Sequence, residues 1–137
     1  GQAQPIGIPP VTMSELSSDV YQVNFNLTDV GSYSTLHVDF GTGVDLSSVT
    51  EIVFGIESDK ATMIKFEVQD TSGKRATYNI RNVDVSRNYY KFLTSLLAGN
   101  IDSAHVKSIS FTAAGESVTA GNETGRFTVE IGGLQYP

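Results

Sequence analysis

The chain has 137 residues, a formal net charge of −6, and neither Cys nor Trp. That length suits one domain, the missing cysteines exclude disulfides, thiolate metal sites and cysteine nucleophiles, and no apolar run is long enough for a membrane span. Residues 1–59 carry eight acids and no Lys or Arg, while residues 60–137 hold nine bases against seven acids; an acidic chain without a concentrated basic footprint is not a general partner for nucleic acid.

The composition favours strands. Val 14, Ile 9 and Thr 13 stand against 8 Leu and 8 Ala, and branched side chains pack well on a pleated surface but lose rotamer freedom in a helix. All four prolines sit at the ends, at 5, 9, 10 and 137. A proline-free body is what a hydrogen-bonded sheet tolerates best. Residues 1–12, with three of those prolines, read as an extended linker, and 13–137 as a single β-sandwich domain cut from a longer chain.

In chain order, apolar residues then recur with period two. Tyr21, Val23, Phe25 and Leu27 share one face, with Gln22, Asn24 and Asn26 on the other. Leu36, Val38 and Phe40 alternate with Thr35, His37 and Asp39, and Gly41-Thr42-Gly43 reads as a turn. Ile52, Phe54 and Ile56 follow, then Ile64, Phe66 and Val68 alternating with Lys65, Glu67 and Gln69. Asp70-Thr71-Ser72-Gly73 supplies a hairpin loop, after which Ala76, Tyr78 and Ile80 return with Arg75, Thr77, Asn79 and Arg81 on the opposite face. Phe92 to Gly99 fits a helical turn stopped by Gly99 or an irregular, bulged strand. Ile109 and Phe111, then Phe127, Val129 and Ile131, complete the set, with Gly115 and Gly121-Asn122 as turn signals between them. The sum is eight or nine strands, and the fold class is all-β: a two-sheet antiparallel β-sandwich, or jelly roll.

No catalytic set emerges. The two histidines, His37 and His105, stand in separate polar settings, and no HExxH, GxSxG or phosphate-cradling loop occurs. The expectation is a protein that is not an enzyme.

The order of short motifs resembles a known family. Asp45-Leu46-Ser47-Ser48-Val49 leads into Glu51-Ile52-Val53-Phe54-Gly55-Ile56; then come the Asp70-x-x-Gly73 turn, Tyr78-x-Ile80, Tyr89-x-x-Phe92, Ile101-Asp102, Val106-x-x-Ile109-x-Phe111 and Gly125-x-Phe127-x-Val129-Glu130. Over residues 34–136 this is similar to the non-catalytic carbohydrate-binding modules of the galactose-binding-like jelly-roll type, found beside bacterial glycoside hydrolases. The resemblance implies an extended polysaccharide as ligand, bound on a shallow polar and aromatic surface. It implies an extracellular or cell-surface setting in a bacterial parent chain with neighbouring domains, and we expect a monomer. Where the family usually carries an aromatic residue, commonly Trp, this chain has Tyr89. Where an Asp commonly helps to hold a structural calcium, it has Glu130, which the resemblance makes the candidate calcium ligand.

Sugar rings offer apolar C–H faces for stacking and hydroxyls for hydrogen bonding. In an extended strand one of Tyr89 and Tyr90 must point outward, and Tyr33 lies in a loop; Tyr136 is terminal. With Arg75, Asn79 and Arg81 on one strand face, and His37, these form the expected ligand-binding set. The same polar face also reads as a solvated sheet with Glu67 paired to an Arg opposite. In that reading the chain is a structural or adhesive sandwich with no sugar ligand.

Overall fold

A computed structural model describes residues 2–60, 62–97, 99–114 and 123–132. The turn signals Gly115 and Gly121-Asn122, and Tyr136, lie outside the described residues. The described residues form ten strands: β1 (Gln2–Ile8), β2 (Thr12–Ser17), β3 (Val20–Leu27), β4 (Tyr33–Val44), β5 (Glu51–Ser58), β6 (Thr62–Asp70), β7 (Arg75–Val83), β8 (Asn88–Leu93), β9 (Val106–Ala114) and β10 (Glu123–Gly132). They build two five-stranded sheets, sheet I in the order β1-β4-β9-β6-β7 and sheet II in the order β2-β3-β10-β5-β8. Every pairing is antiparallel. The expected sandwich is therefore present, with ten strands rather than eight or nine.

The alternating apolar residues meet between the sheets. Leu36, Ile64, Phe66, Val68, Ile109 and Phe111 from sheet I face Val23, Phe25, Ile52, Phe54, Ile56, Phe127 and Val129 from sheet II, all essentially without solvent contact. Phe54 crosses the interface to Phe66 (centroids 4.9 Å apart) and Phe111 (5.1 Å), and Phe92 meets Phe66 edge-on at 5.2 Å. Tilted and edge-to-face geometry suits the ring quadrupoles, adding about 0.5–1.5 kcal/mol per pair beyond area burial. Tyr21 and Tyr78, read as core-facing, do pack against this cluster.

Three sequence readings change. The stretch 1–12, read as a linker, contains β1, paired with β4 from Gln2↔Asp39 to Ile8↔Tyr33, and Thr12 opens β2. Pro5 is tolerated because β1 is an edge strand, where a missing N–H breaks no interior ladder. The hydrophobic pattern concealed this strand by running backwards: Ala3, Pro5 and Gly7 turn inward while Ile6 and Ile8 face out. Gly7 is required there, since a Cβ would sit 2.8 Å from the Tyr33 carbonyl oxygen.

Gly41-Thr42-Gly43 is not a turn between strands but a bulge within β4. The register jumps from Asp39↔Ser108 to Val44↔Val106, and Gly41 and Gly43 supply the positive φ values (64° and 110°) that absorb the extra residues. The segment 92–99 divides: Phe92 and Leu93 end β8 in regular register with β5, without the bulge, and one 3-10 turn, Thr94–Leu97, buries Leu97 before Gly99 at φ 83°.

Candidate functional site

The outward face of sheet I holds a groove of about 480 Å³. Its floor is β9, the middle strand, which turns Ser110, Thr112 and Ala114 into the groove between longer neighbours, with Ser108 outward beyond it. Ser108 and Ser110 are nearly hidden although they point away from the core. Small residues on a central strand, flanked by taller side chains, leave a trough. On the β4 side stand Tyr33, Thr35 and His37; on the other stand Lys65, Glu67 and Gln69 of β6, with Arg75 of β7 behind them. Register places these groups in rows across the sheet: Thr35, Thr112, Lys65 and Asn79 in one, His37, Ser110, Glu67 and Thr77 in the next, and Asp39, Ser108, Gln69 and Arg75 in the third.

One end of the groove is closed by the loop between β3 and β4. The Ser32 hydroxyl accepts from the amides of Thr28 (3.0 Å) and Asp29 (3.1 Å), and Asp29 accepts from the Gly31 amide at 2.9 Å. These local bonds hold Val30, Gly31 and Ser32 against the start of β4, beside Tyr33 and Ile6. Within the groove Thr35 and Thr112 share a hydroxyl hydrogen bond of 2.8 Å, and Thr77 donates to Glu67 at 3.3 Å. Glu67 thus faces Thr77, where the sequence reading had an Arg; the two-residue hairpin offset brings Arg75 opposite Gln69. Among the described residues Arg75 makes no ion pair with a carboxylate.

A buried carboxylate supports this sheet from one end. Asp70 closes β6 with no solvent exposure. It accepts from the amide of Asp102 (2.9 Å), the amide and hydroxyl of Ser72 (3.0 and 2.7 Å) and the amide of Lys74 (3.0 Å). Four donors favour the charged form, the Asp102 amide most, and hold the carboxyl at about 2, below its ordinary 3.8. The Asp70-x-x-Gly73 turn and the loop carrying Ile101-Asp102 are tied together through this one side chain.

Of the expected ligand-binding residues, Tyr33, His37 and Arg75 line the groove. Asn79 and Arg81 lie exposed on the same strand face as Arg75, at its outer margin. Tyr89 and Tyr90 lie on β8 at the far edge of sheet II. Tyr90 turns inward and stacks on Phe54 at 5.9 Å. Tyr89 faces out, 62% exposed, and donates its hydroxyl to Glu130 at 2.8 Å; that bond raises the phenol above the usual tyrosine range. Arg87 donates to Glu57 (3.1 Å) and to Glu130 (3.2 Å), joining the two carboxylates.

The surroundings of Glu130 do not fit a calcium ion. A hard dication needs six to eight oxygen ligands, but Glu130 already receives an arginine and a tyrosine donor, and among the described residues no three acidic or histidine side chains converge as a metal site. The floor residues Ser110 and Thr112, and the 28–32 loop, escaped the sequence reading. A signal was present in Ser108-Ile109-Ser110-Phe111-Thr112-Ala113, where every outward position is small and polar.

No protein-family model and no curated protein matches the sequence. The fold, by contrast, is shared. A family 11 carbohydrate-binding module from Clostridium thermocellum, solved with a β-1,3-1,4-mixed-linked tetrasaccharide, is similar over 96% of this chain and 82% of its own, at 20% identity and a TM-score of 0.64. A family 29 carbohydrate-binding module variant, solved with mannohexaose, is similar over 95% and 77%, at 12% identity and a TM-score of 0.59. An exo-β-agarase is similar over 94% of this chain but only 22% of its own, at 13% identity and a TM-score of 0.67. The chain has the jelly-roll fold of carbohydrate-binding modules.

Proposed function

We propose that the chain is a non-catalytic carbohydrate-binding module that takes an extended polysaccharide into the groove of sheet I. The observation that carries this reading is the trough itself: an open channel floored by Ser110, Thr112 and Ala114 and walled by residues able to meet hydroxyls from both sides. Ser, Thr and Gln offer both donors and acceptors, Arg75 and Lys65 donate, and Glu67 accepts. Tyr33 supplies an aromatic ring at the closed end, with Ile6 and Val30 beside it. An open groove with many modest hydrogen bonds suits a long chain that passes through rather than a small molecule enclosed on all sides. Asn79 and Arg81 extend the hydrogen-bonding surface where a longer glycan leaves the groove.

The sharing of this fold with modules solved in complex with a mixed-linked glucan fragment and a mannan fragment supports the reading. The agarase comparison, in which this fold is 22% of the chain, supports a place within a longer chain beside other domains, and we read that chain as extracellular. Affinity electrophoresis on a mixed-linked β-1,3-1,4-glucan, a β-mannan, a soluble cellulose derivative and agarose tests it. Retardation by one glycan, weakened when Arg75 and His37 are replaced by Ala, is the expected result. Free migration on all four by a folded chain would overturn it and leave a structural or adhesive sandwich in its place.

A further inference from the structure

Sheet II carries an aromatic surface that the groove does not use. Tyr89 pairs across the sheet with Gly55, and Gly55 with Glu130. A Cβ on Gly55 would sit 2.8 Å from Tyr89 Cε1 and 3.1 Å from its Cδ1, so the ring lies against the bare backbone of the neighbouring strand. Gly55 is buried under it, yet Tyr89 remains 62% exposed. The Cδ1–Cε1 side of the ring rests on the sheet and most of the residue is open to water.

The ring is also fixed in place. Its hydroxyl is held by Glu130, Glu130 is held by Arg87, and Arg87 is held in turn by Glu57. Arg87 also packs its Cδ beside the same glycine, 3.3 Å from the Cβ position. Such a ring has already lost its rotational freedom, so a ligand that stacks on it loses less entropy than one that must order a mobile side chain. The groups around the ring suit a sugar. Glu57, Arg87 and Glu130 are each about a third exposed and keep lone pairs or N–H groups at the ring's margin, while Lys91 stands two residues along the same strand face.

Resting on the polysaccharide reading above, we infer that Tyr89 is a second, independent glycan site: a flat stacking platform for the C–H face of one pyranose, on the sheet opposite the groove. The groove meets a sugar chain through its hydroxyls, and the platform meets a ring through its apolar face. Two sites on opposite faces let one domain touch two chains, or two stretches of one chain, and multiply weak contacts through effective concentration.

The test uses the same four glycans with Tyr89→Ala, Tyr89→Phe, Gly55→Ala and the groove-filling Ser110→Trp, each shown by thermal melting to be folded. Tyr89→Ala is expected to weaken retardation by about three- to tenfold. Gly55→Ala, which keeps the tyrosine but lifts its ring off the sheet, is expected to do the same, and Tyr89→Phe to keep most of the binding. The residual retardation of Ser110→Trp is expected to disappear when Tyr89→Ala is added. Wild-type migration by both Tyr89→Ala and Gly55→Ala overturns the platform and leaves the groove standing, with Tyr89 serving only to cover Gly55. Retardation unaffected by Ser110→Trp but abolished by Tyr89→Ala keeps the platform and sinks the groove. A wild-type chain that binds none of the four glycans overturns both.

Discussion

On sheet I the outward polar groups stand around an open trough, with local bonds such as Thr35–Thr112 and Thr77–Glu67 inside it, whereas on sheet II the groups around Tyr89 are joined in one continuous chain of bonds. Arg75 makes no ion pair with a described carboxylate, and Ser110 and Thr112 line a floor; Arg87, by comparison, is engaged by Glu57 and Glu130 at once, and Glu130 also by Tyr89. The two faces hold similar residue types at similar spacing. What separates them is whether hydrogen-bonding capacity is left over. A polar strand face marks a binding surface when part of its hydrogen-bonding capacity faces an open channel, as in the trough of sheet I. Sheet II spends its polar groups on orienting one ring.

The largest effect that can be imposed on this contrast is to remove the core that both faces share. Phe66 is fully buried and touches Phe54, Phe92 and Phe111. Phe66→Ala should cost about 3–5 kcal/mol in urea unfolding, and a loss below 1 kcal/mol would mean that the sheets do not pack through these rings. Next in size, Asp70→Asn should lower the melting temperature at pH 7, because an amide nitrogen must face N–H donors that the carboxylate accepted.

The same residue carries a pH signature. With the folded carboxyl at about 2 and its ordinary value 3.8, its contribution is complete above about pH 4 and is lost as the pH falls toward 2, where the unfolded chain takes up the proton first. Melting temperatures of the wild type should fall over that window, and Asp70→Asn should flatten that part of the curve; parallel curves would show that the buried carboxylate is not the group responsible.

Smaller effects sharpen the difference between the faces. Ser110→Trp fills the floor of the groove and should weaken glycan retardation by about tenfold or more, the equivalent of losing two net hydrogen bonds. An unchanged mobility shift would move the site off sheet I. Arg75→Ala removes one donor and should weaken it by about fivefold, with the melting temperature unchanged because Arg75 has no ion pair among the described residues to lose. Arg87→Ala should show the reverse emphasis, a stability loss of about 1 kcal/mol or less in urea unfolding, as half-exposed ion pairs give; a larger loss would mark the Glu57–Arg87–Glu130 cluster as a structural keystone of sheet II.

Much of the architecture was legible in the amino-acid order. Period-two runs such as Ile64, Phe66 and Val68 become core strands for the reason the pattern implies: successive side chains alternate between faces, and one face is buried. The hairpin around Asp70-x-x-Gly73 and the sharing of a face by Arg75, Asn79 and Arg81 follow from the same rule. β1 was not legible, because its inward residues are Ala3, Pro5 and Gly7, and only the close approach of β4 explains why small residues belong there.

For the candidate site the division is similar. The sequence by itself determined which residues point outward, since alternation along a strand is local, and it singled out His37 and Arg75 on that ground; Tyr33, read as a loop residue, opens β4 instead. Which outward residues become neighbours is settled by strand order, and β9, which begins only at Val106, enters sheet I between β4 and β6, which end at Val44 and Asp70. Only that insertion sets Ser110 and Thr112 between taller walls and turns a polar face into a groove. Tyr89 and Tyr90 show the same limit: adjacency in the chain required one to face out, but the position of β8 at the far edge of sheet II decided that neither would reach the groove. Long-range pairing is a property of the whole chain's packing, and no local pattern encodes it.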